Sequence, residues 1–109
     1  MKNLNVSEVL MKGIEAHKSG DIKLADQFYT AILKIQPDHP DANHNMGLLA
    51  IALGQLDKAV VLFKKALKAN RSIEQFWISL LDAQIKLGQL NEAKKTLSEA
   101  IDSGIEMSK

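Results

Sequence analysis

The residues best suited to chemistry gather around one proline. Asp38, His39, Asp41 and His44 flank Pro40, and Asp41 and His44 stand at i, i+3, on one face of a helix. Such a pair can serve a divalent cation only where a second pair faces it, since a credible site needs three or four converging ligands. The sequence offers no second pair; the remaining histidine, His17, stands alone. An aspartate-rich helix start is explained by capping and by the helix dipole, so the expectation here is structure and no metal. Nucleophilic catalysis has less support. There is no cysteine, no G-x-S-x-G elbow and no glycine-rich phosphate loop. A paired-carboxylate mechanism needs two acids facing across a cleft. Asp82 is the single acid expected on an inner face, and Lys86 four residues on suits an ordinary ion pair. The chain is therefore expected to be no enzyme and to use no cofactor.

Charge points the same way. The 109 residues carry a net charge of +1, too weak a field to argue for nucleic acid or an anionic membrane. The distribution is uneven, with Lys64, Lys65, Lys68 and Arg71 gathered near the end of one segment. Cations there complement a helix C-terminus, and no aromatic residues are interleaved for base stacking. A solvated face is the plainest reading of this cluster, with an acidic protein partner as the alternative. No apolar run approaches the ~18 residues of a membrane span, and the first residues do not form a signal-peptide core. A cytoplasmic protein is expected.

The elements that would position any site follow from an internal repeat. Gly20, Gly54 and Gly88 are spaced by 34 residues, as are Ala25, Ala59 and Ala93 and, four further on, Tyr29, Phe63 and Leu97. Around these markers the apolar residues recur with helical spacing, as in Met46, Leu49, Ala50 and Leu53 before Gly54 and Leu56, Ala59, Val60 and Phe63 after it. Glycine just past a helix end tolerates the left-handed conformation and lets the next helix begin. Pro40 suits a first helical turn, and Ser72 with Gln75 reads as a capping box. Six helices are expected, over 6–19, 22–36, 40–53, 56–69, 73–87 and 90–102.

With Gly13 and Gly47 at the eighth position, the glycine and alanine columns above, Trp77 at the fourth, Ala66 and Ala100 at the twenty-seventh and Pro37 at the thirty-second, the chain resembles three tetratricopeptide repeats, over 6–39, 40–73 and 74–107. It departs from the pattern where Leu81 replaces the small eighth residue, Ile32 the twenty-seventh alanine, and Arg71 and Ile105 the proline. The resemblance implies one all-α domain over residues 1–109, a right-handed superhelical solenoid of antiparallel hairpins. It also implies a concave binding face, a non-enzymatic protein-interaction function, and a partner protein or peptide as ligand. By this resemblance Ser7, Leu10, Ile14 and His17, then Asp41, His44, Leu48 and Ile51, then Gln75, Ile78, Asp82 and Ile85 line the groove. Six of the twelve are large aliphatics, which suits an apolar trough. Relatives that grip a chaperone tail by its carboxylate use Lys, Asn and Arg, where this chain has Leu10, Ile14, Gln75 and Ser79; only Asn45 matches. Bacterial proteins with similar repeats carry a transferase domain after them, so a segment of a larger enzyme is an alternative, and a self-assembling scaffold is another. Leu97, Ile101 and Ile105, at i, i+4 and i+8, form an apolar stripe on the last helix and the turn after it. It is expected to be covered by self-association or by further residues of a longer protein.

Overall fold

The computed structural model describes residues 5–106. Met107, the last residue of the third repeat as read from sequence, lies outside them, as do residues 1–4 and 108–109. The described residues form six helices: α1 (Val6–Lys18), α2 (Ile22–Ile35), α3 (Pro40–Ala52), α4 (Leu56–Ala69), α5 (Glu74–Lys86) and α6 (Leu90–Asp102). They pair as three consecutive hairpins stacked into a short solenoid, 49 × 27 × 22 Å.

The helices start where local chemistry meets their free N–H groups. Asn5 and Glu8 form a reciprocal capping box at α1. Asp21 Oδ1 accepts from the Leu24 N–H at α2, and His39 Nδ1 accepts from the Ala42 N–H at α3, with Pro40 in the first turn. The box expected from Ser72 and Gln75 does not form. Asn70 Oδ1 instead takes both the Ser72 N–H, at 3.0 Å, and its hydroxyl, at 2.7 Å. That local turn competes with helix initiation, and α5 begins after Ile73 without a side-chain cap.

Within each hairpin the turn is the same. Gly54 adopts φ +76°, and the Gln55 N–H reaches back to the Ala50 carbonyl, closing α3 and releasing α4 at a sharp angle. Only glycine enters that conformation without strain. Between hairpins the chain is extended, at Gln36 and Asn70, and a side chain fastens the joint. Asn43 Nδ2 donates to the Pro37 carbonyl at 3.0 Å; thirty-four residues on, Trp77 Nε1 donates to the Arg71 carbonyl at 2.9 Å. Two unlike residues thus make one repeated bond.

Helix α3 is the middle of the stack and touches α1, α2, α4 and α5. Ala42, Asn43, His44, Met46, Gly47, Leu49 and Ala50 are all buried on it, and its two buried polar side chains, Asn43 and His44, are hydrogen-bonded there, as buried polar groups must be. Gly47 lets α4 come close: a Cβ there would stand 2.7 Å from Cδ1 of Phe63, and one on Gly13 would stand 2.9 Å from Cδ1 of Tyr29. Phe63 and Tyr29 are fully buried as a result.

Candidate functional site

The three first helices of the hairpins, α1, α3 and α5, supply the expected groove. Leu10, Ile14 and His17 are half-buried on α1, and Leu48 and Ile51 are half-buried on α3. On α5 the groove opens to solvent, with Ile78 39% and Ile85 56% exposed and Asp82 exposed beside them. The ion pair expected of Asp82 is present, to Lys86 Nζ at 3.0 Å. Both side chains are wet, so the pair adds little to stability.

His44 does not belong to the groove. It is buried, its Nε2 shares a 2.8 Å hydrogen bond with the Ser79 hydroxyl, and its ring stacks on Phe76 and tilts against Phe63. Burial pushes its pKa below the usual histidine value, with Asp41 opposing in part. It is a joint between the second and third hairpins and is unavailable to a partner. The resemblance placed it on the inner side, but its register on α3 points it at α5, so neighbouring helices use it first.

The best-formed part of the groove lies between the first two hairpins. Ile14, His17 and Lys18 of α1, Asn45 and Leu48 of α3 and the edge of Tyr29 enclose a concavity of about 380 Å³. The Tyr29 hydroxyl is buried there and has no hydrogen-bond partner; burial raises its pKa above the usual tyrosine value. A buried hydroxyl left unmet is costly. Sequence reasoning missed Tyr29, counting it only as one of three large apolar residues in a column. The signal was there: the same position holds Phe63 and Leu97, and only Tyr carries a hydroxyl. Lys18 was missed too, because it lies off the expected positions.

The C-terminal stripe divides. Leu97 is 39% and Ile101 58% exposed. Ile105 leaves the stripe. Gly104 (φ +87°) ends α6 with the turn used inside the hairpins, the Ile105 N–H bonds the Ala100 carbonyl at 3.1 Å, and Ile105 folds back half-buried onto the chain's own core. The reason is the residue type at 104: Asn70 and Gln36, at the equivalent helix ends, keep negative φ angles of −153° and −130°, whereas glycine permits the reversal. Among the described residues no helix is long and apolar enough to cross a membrane, and no three of His, Asp and Glu converge as metal ligands would.

Comparisons with known proteins fit this geometry. A family model described as tetratricopeptide repeat matches residues 16–77 and again 50–104. Human protein O-mannosyl-transferase TMTC3 is 32% identical over 101 residues, 92% of this chain. The chain spans about a tenth of the length of the curated relatives it matches, 11% of that one and 12% of another. Among solved structures, the first TPR of Spaghetti (RPAP3) bound to an HSP90 peptide is similar with a TM-score of 0.79 at 24% identity, over 89% of this chain and 79% of that one. An O-GlcNAc transferase of Thermobaculum terrenum gives a TM-score of 0.80 at 25% identity, over 89% of this chain and 19% of that one.

Proposed function

The chain belongs to the tetratricopeptide repeat family, and from that premise we propose that it is a non-enzymatic protein-interaction module whose concave groove holds a peptide or helix of a partner protein. One observation carries the reading: the 380 Å³ concavity whose walls are Ile14 and Leu48 and whose floor is a buried, unpartnered Tyr29 hydroxyl. An aliphatic side chain of the partner fits between the walls, against the edge of Tyr29. The similar Spaghetti domain is described with a peptide bound, which supports a peptide as the class of ligand. The carboxylate grip is not expected, for Leu10 and Ile14 bring no charge to the first helix.

Affinity then rests on apolar burial and is weakly salt-dependent. Replacing Leu48 by Glu abolishes capture of the cellular partner in a pull-down while helicity by circular dichroism stays intact. A partner that binds the variant at full strength does not use the groove.

The exposed Leu97 and Ile101 favour a second reading, in which α6 pairs with a second copy or with further residues of a longer protein. Similarity to transferases that extend far beyond this chain supports the latter, as an interaction segment of a larger enzyme. Sedimentation across a wide concentration range separates the two: self-pairing gives a dimer that Ile101→Glu returns to monomer, and a monomer throughout removes it. A protein acting through such a groove works in an aqueous compartment, and the cytoplasm is our assignment.

A further inference from the structure

The face away from the groove carries a second concavity. It opens between α4, α5 and α6 and measures about 320 Å³. Trp77, Leu80 and Gln84 of α5 form its floor. At about 100° per residue they lie on the opposite side of α5 from Ile78, Asp82 and Ile85, so this cavity and the groove are separate.

Comparison along the repeat shows that the floor is unusual. Thirty-four residues before Gln84 stands Ala50, and before Thr96, which also lines the cavity, stands Leu62. Both equivalents are ordinary buried core. The third repeat therefore puts two polar side chains where the second has apolar ones, and keeps them buried, at 1% and 4% exposure. Gln84 Oε1 has no hydrogen-bond partner. An unmet acceptor is disfavoured in a core and needs a reason.

The rim supplies one. Lys64 and Lys68 stand on the α4 side with Arg71 just beyond, while α6 contributes Lys95 between Glu92 and Glu99. Arg71 is engaged: it donates to the Ser103 hydroxyl at 2.8 and 3.3 Å and lies 5.1 Å over the Trp77 ring. Lys64 and Lys68 are exposed, and the one ion pair among the described residues is that of Asp82 with Lys86. The cavity thus has a cationic wall on α4, a mixed wall on α6 and a buried hydrogen-bond acceptor in its floor.

We propose that this cavity is a second binding site, which takes an acidic peptide segment. A glutamate or aspartate carboxylate sits against Lys64 and Lys68, and the Gln84 amide, turned about its last torsion so that Oε1 faces the cavity, accepts from a backbone N–H of the same segment. A free phosphate or sulfate suits the site poorly, because when fully ionised it has no donor for the Gln84 amide oxygen. The volume lies at the low end of the ~300–1,000 Å³ typical of small-ligand sites, room for one or two residues of a chain. The assignment does not depend on the groove.

Trp77 is the sole tryptophan and lies in the cavity floor, so its fluorescence reports occupancy directly. The protein is titrated with an end-blocked peptide of four glutamates, its glutamine counterpart, free glutamate and inorganic phosphate. The glutamate peptide is expected to give a saturable change that weakens with salt, and the other three are expected to give none at equal concentration. Lys68→Glu, on an exposed residue that leaves the fold intact, weakens the response about tenfold or more. Gln84→Leu also weakens it while holding or raising the thermal midpoint, since it removes the unmet acceptor. Leu48→Glu leaves it unchanged. The proposal is overturned by no saturable response to the glutamate peptide, by an equal response to the glutamine peptide or to phosphate, by an unaltered response in Lys68→Glu, or by its loss in Leu48→Glu, which would put the peptide in the groove.

Discussion

The second and third hairpins share a repeat pattern and differ in how tightly they close. In the second, Gly47 admits the Phe63 ring into the space a Cβ would fill, and Phe63 is fully buried. In the third, Leu81 occupies the glycine position and Leu97 the aromatic one; Leu97 is 39% exposed, and α5 and α6 are the loosest of the three pairs. A side chain at the eighth position holds the second helix away. The concavity between α4, α5 and α6 is lined by Gln84 and Thr96 where the second hairpin has Ala50 and Leu62. At the matching place in the second hairpin, beside Ala50, only about 30 Å³ is left open.

The contrast has measurable consequences. The largest is expected from Phe63→Ala, which empties a fully buried aromatic position and costs about 3–5 kcal/mol. Leu97→Ala, at the equivalent position, costs about 1–2 kcal/mol, because more than a third of that residue is already in water. Equal losses in chemical denaturation would mean that the third hairpin closes like the second.

A smaller difference is expected at the alanine column. Ala59 is fully buried and Ala93 nearly so. Ala59→Leu overpacks the α3–α4 contact and costs about 1–3 kcal/mol, whereas Ala93→Leu meets a looser pair and costs less than Ala59→Leu does. Lys58→Leu, on the exposed side of the same helix, stays within about 0.5 kcal/mol. Matching unfolding midpoints for Ala59→Leu and Lys58→Leu would break the repeat register itself.

The smallest effect sharpens the joint between the two hairpins. His44 is held neutral by burial, so its folded-state pKa lies below the ordinary 6.5. As pH falls below 6.5 the unfolded chain takes up a proton that the folded chain resists, and stability declines until the folded value is passed. Above 6.5 this contribution is fully present. Unfolding measured from pH 7.5 to 5 is expected to show the decline in the native chain and a shallower one in His44→Leu. Parallel curves would mean that His44 does not carry the joint's pH dependence.

Much of this was legible in the residues. The 34-residue columns gave all six helices to within a residue at each end, because helix periodicity and glycine stops are local signals. The groove was legible as a set of positions, though not as a shape. Register put Leu48 and Ile14 on the first helices, where both line the concavity, while Tyr29 and Lys18 join its lining only through the approach of α1 to α3. Capping was the weakest inference, since Ser72 and Asn70 compete for the same turn and the winner depends on a hydrogen bond two residues long.

The sequence by itself determined the hairpins: where each helix runs, where glycine reverses the chain, and which positions are small enough for close contact. These depend on neighbours within one or two turns. Tertiary structure alone decided what each exposed-looking residue faces. His44 stands in the groove register yet stacks on Phe76 across 32 positions of chain; Ile105 continues a stripe on paper yet folds back over Ala100; Gln84 is polar yet is buried with an unmet carbonyl. Burial is set by which helix arrives next, and that is a property of the stack and not of the segment.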